Sequence, residues 1–253
     1  MDYVGEFHDK LQYSIIKSIP LKGKIVLPIS GGLDSRILAG IVSKIRDIDV
    51  SYVSWSDSHT LHKQYAKDIM EICGVVSQHT IHIPQDELKE PAWRIHTYPM
   101  KVLNEVLHIK DAALVLAMSL DVLSGAHIGL WNIWNPSSIR QYEKWYVDNV
   151  RPKQLEHNRY YTLKYFRKVC DCVWTPELVK FCLLKIPLRM RFDRWILRET
   201  LRRYYPELAK IPQDDYHVTP GGSSLLYTLA RCKFVIHKRL TKNLEGLNRG
   251  YCD

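Results

Sequence analysis

Apolar residues at Val4, Phe7, Leu11, Ile15, Ile16 and Ile19 recur every three to four positions. That is the spacing of one helix face, so the chain opens on an amphipathic helix that Pro20 ends. The period then changes. Lys24-Ile25-Val26-Leu27-Pro28-Ile29 is a short, apolar, β-branched run and reads as a buried parallel strand. Ser30-Gly31-Gly32 follows, and Ile37, Leu38, Ile41, Val42 and Ile45 return to helical spacing, giving strand, glycine loop and helix. Val50 to Trp55 predicts a second strand, His62 to Cys73 a helix stopped by Gly74, and Gln78 to Ile83 a third strand. Residues 99–120 read as helical, and Leu120-Asp121-Val122-Leu123 as a fourth strand ending at Ser124-Gly125. Beyond about residue 136 the pattern is predominantly helical, over 153–170, 176–185, 193–204 and 223–242.

Strands alternating with helices of this length imply βαβ units and an α/β fold: a parallel sheet sandwiched by helices, with a mainly helical C-terminal part. No internal repeat or long linker interrupts the chain. The expectation is one domain over 1–253, with an α/β core over 1–135 and a helical part over 136–253.

Composition narrows the class without choosing a function. Of 253 residues, 46% are apolar and 25% charged, which excludes a disordered chain. No run of 18 uncharged apolar residues exists, so no membrane span is expected. Met1 to Tyr13 lack a basic segment followed by an apolar one, so no secretory signal is expected and the predicted location is cytoplasmic, with six reduced cysteines. Lys and Arg total 36 against 27 Asp and Glu, a charge of +9 that attracts polyanions, nucleotides and nucleic acid among them. Cys170-x-Cys172 and His59-x-x-His62 lack the further ligands a metal site needs, and His79 and His82 fall on opposite faces of a strand. Trp131, Trp134, Tyr142, Trp145 and Tyr146 form an aromatic stretch read as core or lid packing, and Arg231 to Lys242 a basic amphipathic helix.

The chemistry concentrates in Ser30-Gly31-Gly32-Leu33-Asp34-Ser35, between the first buried strand and its helix. Adjacent glycines let the backbone approach a bound group closely, and the helix start offers free N–H groups and a positive dipole end to an anion. The Ser30 and Ser35 hydroxyls can bond phosphate oxygens, and Asp34 can hold a divalent cation beside them. The loop has no lysine and no G-x-x-x-x-G-K-[ST] pattern, so it is not a Walker-type phosphate loop.

This loop resembles the pyrophosphate loop of the ATP pyrophosphatase superfamily, whose members cleave ATP between its α and β phosphates. Other segments resemble the synthase domain of asparagine synthetases: Tyr52 to Trp55, His62 to Gly74, His79, Val173 to Phe181, Lys185-Ile186-Pro187, Trp195 to Glu199 and Tyr205 to Pro212. The likeness implies an adenine nucleotide alpha hydrolase-like fold and an AMP-forming ligase that adenylates a carboxylate and transfers it to ammonia or an amine. It assigns Ser30, Gly31, Gly32, Leu33, Asp34 and Ser35 to ATP pyrophosphate and Asp34 to magnesium. It places Leu27, Ser54, Ser124 and Gly125 around the adenosine.

The chain also departs from that family. The family motif Ser-Gly-Glu-Gly-x-Asp-Glu is here Ser124-Gly125-Ala126-His127-Ile128-Gly129-Leu130, without either carboxylate. His127 is the candidate to replace the lost base, since imidazole titrates near neutrality. A phosphate-contacting lysine of the family's late loop has no counterpart near Gln213-Asp214-Asp215. No glutaminase region precedes the loop, so a separate glutaminase chain is the expected nitrogen source if ammonia is the acceptor. Two alternatives stand beside the ligase: a tRNA-modifying enzyme of the same superfamily, and a catalytically impaired nucleotide binder acting as a partner subunit.

Overall fold

A computed structural model describes residues 1–20, 22–56, 60–74, 77–83, 92–117, 120–125, 136–153, 156, 164–213, 219–221, 229 and 233. Helix α1 (Tyr3–Ser18) is capped by Asp2, whose Oδ1 accepts the Gly5 N–H at 3.1 Å. It turns Phe7, Leu11 and Ile15 fully inward, each burial contributing about 1.5–3 kcal/mol. Strand β1 (Lys24–Pro28) follows, then α2 (Leu33–Val42), β2 (Asp49–Ser56), α3 (Thr60–Ile72) and β3 (Ser77–His82). Gly74 ends the α3 turn with φ of +67°, the left-handed conformation expected of a helix stop.

The five strands are all parallel and lie in the order β3-β2-β1-β4-β5. The expected α/β architecture is therefore present, with β1 at the centre. Its alternation sorts the two faces. Ile25 and Leu27 point into a core shared with α1, α2 and the later helices, while Val26 points the other way, toward Met100, Leu103 and Leu114. Met100 and Leu103 belong to α4 (Ala92–Leu107), which covers that second face.

Two expectations need correction. The fourth strand, β4, is Ala113–Leu116, and Leu120–Ser124 is a short helix, α5. Burial explains the difference: Ala113, Leu114 and Val115 are buried in succession, as in a central parallel strand, whereas in the later run Leu120, Leu123 and Ser124 are buried at helical spacing. Within the stretch expected to be helical over 153–170, Lys168–Asp171 is the edge strand β5. Four residues are too few to carry a visible period. The expected helix over 223–242 lies outside the described residues except for positions 229 and 233.

Further helical elements include α6 (Pro136–Trp145), continued by a π-helical turn over Tyr146–Val150, and the helices Pro176–Lys180, Leu188–Arg191, Trp195–Tyr204 and Pro206–Lys210. Trp195–Tyr204 packs on α1, α2 and α5. The helix Pro176–Lys180 also packs on α1, so these helices share the sheet face that carries α1 and α2. No helix of the described residues is long and apolar enough to cross a membrane.

Candidate functional site

The chain leaves β1 toward β2 on one side of the sheet, and the sheet continues with β4 on the other. In parallel sheets such a reversal opens a crevice beyond the strand ends, where ligands bind. The loop Ser30-Gly31-Gly32 enters this crevice directly from β1. Ile29 extends the strand by donating its N–H to Val53 O at 2.7 Å, and α2 begins at Leu33 with Gly32 as its cap residue. The first N–H groups of α2 have no acceptor within the helix, so the crevice faces a positive helix end.

Within the loop the serines hold its shape. The Ser30 N–H donates to Ser35 Oγ at 3.1 Å, the two hydroxyls lie 3.0 Å apart, and the Gly32 N–H donates to Ser30 Oγ at 3.2 Å. Ser35 Oγ also donates to Ser30 O at 2.9 Å. These bonds are solvent-exposed, so a phosphate oxygen could replace a hydroxyl as acceptor at little net loss.

Asp34 projects from the first turn of α2 toward α5. Its Oδ2 accepts the Asp121 N–H at 3.0 Å, and its Oδ1 is buried without a hydrogen-bond partner. Burial and, second, the neighbouring Asp121 carboxylate push Asp34 from its ordinary 3.8 up to about 7. The positive charge of Arg194 and the Asp121 N–H act in the opposite direction. Two carboxylates and an arginine from three distant segments therefore meet beside the glycine loop. A buried, unsatisfied carboxylate oxygen next to a second carboxylate fits a hard divalent cation, which would supply the missing partner and neutralise the pair. Among the described residues no group of three His, Cys, Asp or Glu assembles as an all-protein metal site. A cation here would thus complete its shell with ligand oxygens or water.

Arg194 owes its position to unusual backbone. Asp193 and Arg194 are consecutive non-glycine residues with φ of +54° and ψ of +31°. Left-handed residues of this kind persist only where their surroundings hold them, at about 1–3 kcal/mol each. Here Asp193 is buried with Arg198 Nη2 at 3.8 Å from its carboxylate. Just before it, the fully buried Arg191 donates to Leu123 O at 3.1 Å and ion-pairs with Glu143 of α6. The segment is thereby tied to α5 and α6.

The expected site residues divide into two groups. Ser30, Gly31, Gly32, Leu33, Asp34 and Ser35 form the loop and the helix start as read from the sequence. Ser54 lies near the end of β2, 4% exposed, with its hydroxyl 3.2 Å from that of Thr80. Leu27 is fully buried in the core, before the strand end. Ser124 and Gly125 end α5 rather than a strand: the Ser124 hydroxyl bonds Asp121 O at 3.1 Å, and Gly125 is pressed against the Arg191 backbone. That contact occupies the space on one side of Gly125. His127 and His59 lie outside the described residues, as do Asp214 and Asp215, while Gln213 is buried.

Two residues escaped the sequence reading. Asp121 was hidden because its segment read as a strand; a carboxylate in the first turn of a helix after the fourth strand was the available signal. Arg194 lies in the basic stretch from Lys185 to Lys210, where nothing local separates it from solvent-facing arginines.

No protein-family model matches the chain, and no curated protein sequence does. Among solved structures, the chain is similar to the U34-tRNA thiolase NcsA from Methanococcus maripaludis with its [4Fe-4S] cluster, at 14% identity and a TM-score of 0.43, over 81% of this chain and 74% of that one.

Proposed function

We propose that this chain is an ATP-dependent, AMP-forming enzyme that binds the pyrophosphate of ATP at Ser30–Ser35 and adenylates a substrate carboxylate for transfer to ammonia or an amine. The observation that carries the reading is the serine-glycine loop at the β1–β4 crevice, with Asp34, Asp121 and Arg194 converging beside it. Asp121 also supplies a carboxylate after the fourth strand, where the motif around Ser124 lacked one.

In this reading the loop N–H groups and the serine hydroxyls bind the β and γ phosphates, and Ser54 lies toward the nucleoside. Asp34 and Asp121 would hold Mg2+, which supplies charge neutralisation for the leaving pyrophosphate. Arg194 adds a fixed positive charge on the same side. The substrate carboxylate oxygen attacks the α phosphorus, and the bond from that phosphorus to the bridging oxygen breaks, so pyrophosphate leaves with the electron pair. The amine nitrogen then adds to the activated carbonyl, loses a proton, and displaces AMP.

A second reading keeps the adenylation and changes the acceptor to a base oxygen in RNA. The charge of +9 favours it. RNA binding with a steep dependence of log affinity on log salt would support this reading, and flat, weak binding would remove it.

The deciding experiment is calorimetric titration of Mg-ATP into the wild type and Asp34→Ala, followed by product analysis with candidate acids and amines. Binding weakened about tenfold or more in the variant, with AMP and pyrophosphate as products, supports the proposal. Production of ADP, or turnover unchanged in Asp34→Ala, refutes it. Absence of ATP binding by the folded wild type favours the non-catalytic partner subunit instead.

A further inference from the structure

Arg36 follows the loop serine directly and is completely buried in the first turns of α2. Its guanidinium reaches backward and across the molecule at once. Nη2 donates to Gly31 O at 2.8 Å and to Pro212 O at 3.0 Å, while Nη1 donates to Leu208 O at 3.1 Å and Ile211 O at 2.5 Å. Leu208 and Ile211 belong to the end of the helix Pro206–Lys210, whose last carbonyls lack helical partners. Arg36 thus satisfies that helix terminus and places its charge at the negative end of the helix dipole.

The bond to Gly31 O has a geometric consequence for the loop. A trans peptide is planar, and its C=O and the next residue's N–H point in opposite directions. With Gly31 O drawn inward to Arg36, the Gly32 N–H is turned outward, where it meets Ser30 Oγ at 3.2 Å. That is the side from which a phosphate would approach.

We propose that Arg36 is a positioning residue that sets the phosphate-facing direction of the Gly31–Gly32 peptide and couples occupancy of the loop to the seating of residues 208–212. The inference rests on the nucleotide reading above and adds a route by which the site is felt 176 residues along the chain. Release of the 208–212 carbonyls frees the guanidinium to follow them, and Gly31 O loses its inward anchor. A loop held rigid by ligand keeps that anchor in place and secures the segment.

The test uses the full chain with Mg-ATP as the probe, comparing wild type, Arg36→Met and Arg36→Lys. Tryptic cleavage after Lys210 reports opening of the segment, because Ile211 beyond it is buried; cleavage after the exposed Lys17 on α1 controls for general unfolding. In the wild type, Mg-ATP should slow cleavage at Lys210 more than at Lys17. Arg36→Met, which cannot donate, should weaken ATP binding roughly tenfold or more and speed cleavage at Lys210 with or without nucleotide. Arg36→Lys keeps the charge but not the planar fork, and should fall between the two. Folded Arg36→Met with wild-type affinity overturns the proposal while leaving the nucleotide site intact. If that variant does not fold, the wild-type comparison decides, since equal protection at Lys210 and Lys17 refutes the coupling. A wild type that binds no ATP refutes the nucleotide reading itself, and this inference with it.

Discussion

Replacing Asp34 by Asn should raise the stability of the nucleotide-free protein while removing its ligand. The carboxylate is pushed from 3.8 up to about 7, chiefly by burial and then by Asp121. An acid whose folded pKa lies above its unfolded one favours folding while protonated. That contribution is complete below about pH 4 and is lost as pH climbs toward 7 and beyond. The interval spans about three pH units, or about 4 kcal/mol at most at 1.36 kcal/mol each. Asp34 is only partly buried as a whole residue, although its Oδ1 is sealed from solvent. Water therefore screens the ionised form further, and about 2 kcal/mol is the better expectation. Asn keeps an oxygen for the Asp121 N–H and has no proton to lose. Thermal unfolding from about pH 4.5 to 8.5 should show the variant gaining on the wild type as pH rises, reaching about 4–8 °C in Tm near pH 8 for a chain of this size. Mg-ATP should stabilise the wild type and leave the variant unmoved. A difference that is constant across pH, or a variant that melts lower at pH 8, would refute the reasoning.

Because the cation and the proton compete for the same oxygens, Mg-ATP affinity measured calorimetrically should rise between about pH 6 and pH 8 and release protons on binding; a flat profile would place the cation elsewhere. At Gly125, φ is +97° and an added Cβ would lie 2.2 Å from Arg191 O. Gly125→Ala should therefore destabilise the fold by at least about 2 kcal/mol, read as a lower urea midpoint. Glu143→Ala strands the fully buried Arg191 charge and should cost about 3–5 kcal/mol. The double replacement Glu143→Leu with Arg191→Met should recover much of that loss, and a double-mutant cycle without coupling would contradict the buried pair.

The legible parts of the fold were those with a long period or a local signal. Helix α1 shows six apolar positions at helical spacing, and β1 to β3 alternate with α2 and α3 at lengths that fit only βαβ units. Near residue 115 two apolar runs lie within ten residues of each other, Ala112–Leu116 and Leu120–Leu123, and either can pass for a strand. Their difference lies in which residues are buried in the assembled sheet, a tertiary property. Strand β5 was obscured for the same reason: its pairing with β4, not its four-residue composition, makes it a strand.

The site divides along the same line, with a consequence for its chemistry. The loop Ser30–Ser35 is contiguous, and its glycines, hydroxyls and following helix can be read as a candidate anion site without any tertiary information. Its partners are supplied by folding. Asp121 arrives from 87 residues away and Arg36's acceptors from as far as 176, while Arg194 sits in a left-handed pair with Asp193, whose carboxylate lies against Arg198. Little in the local sequence sets these segments apart, beyond the place of Asp121 in the first turn of a helix after the fourth strand. Yet they bear on the proton affinity of Asp34 and, in the inference above, on the direction of the Gly32 N–H. The strain at Asp193 and Arg194 and the ionised Asp34 both work against folding in the absence of ligand. A bound Mg-nucleotide would neutralise the carboxylate pair, so part of the cost of the ionised Asp34 would reappear as affinity. The buried carboxylate oxygen of Asp34 is thus a second observation, separate from the glycine loop, that fits the proposed nucleotide site.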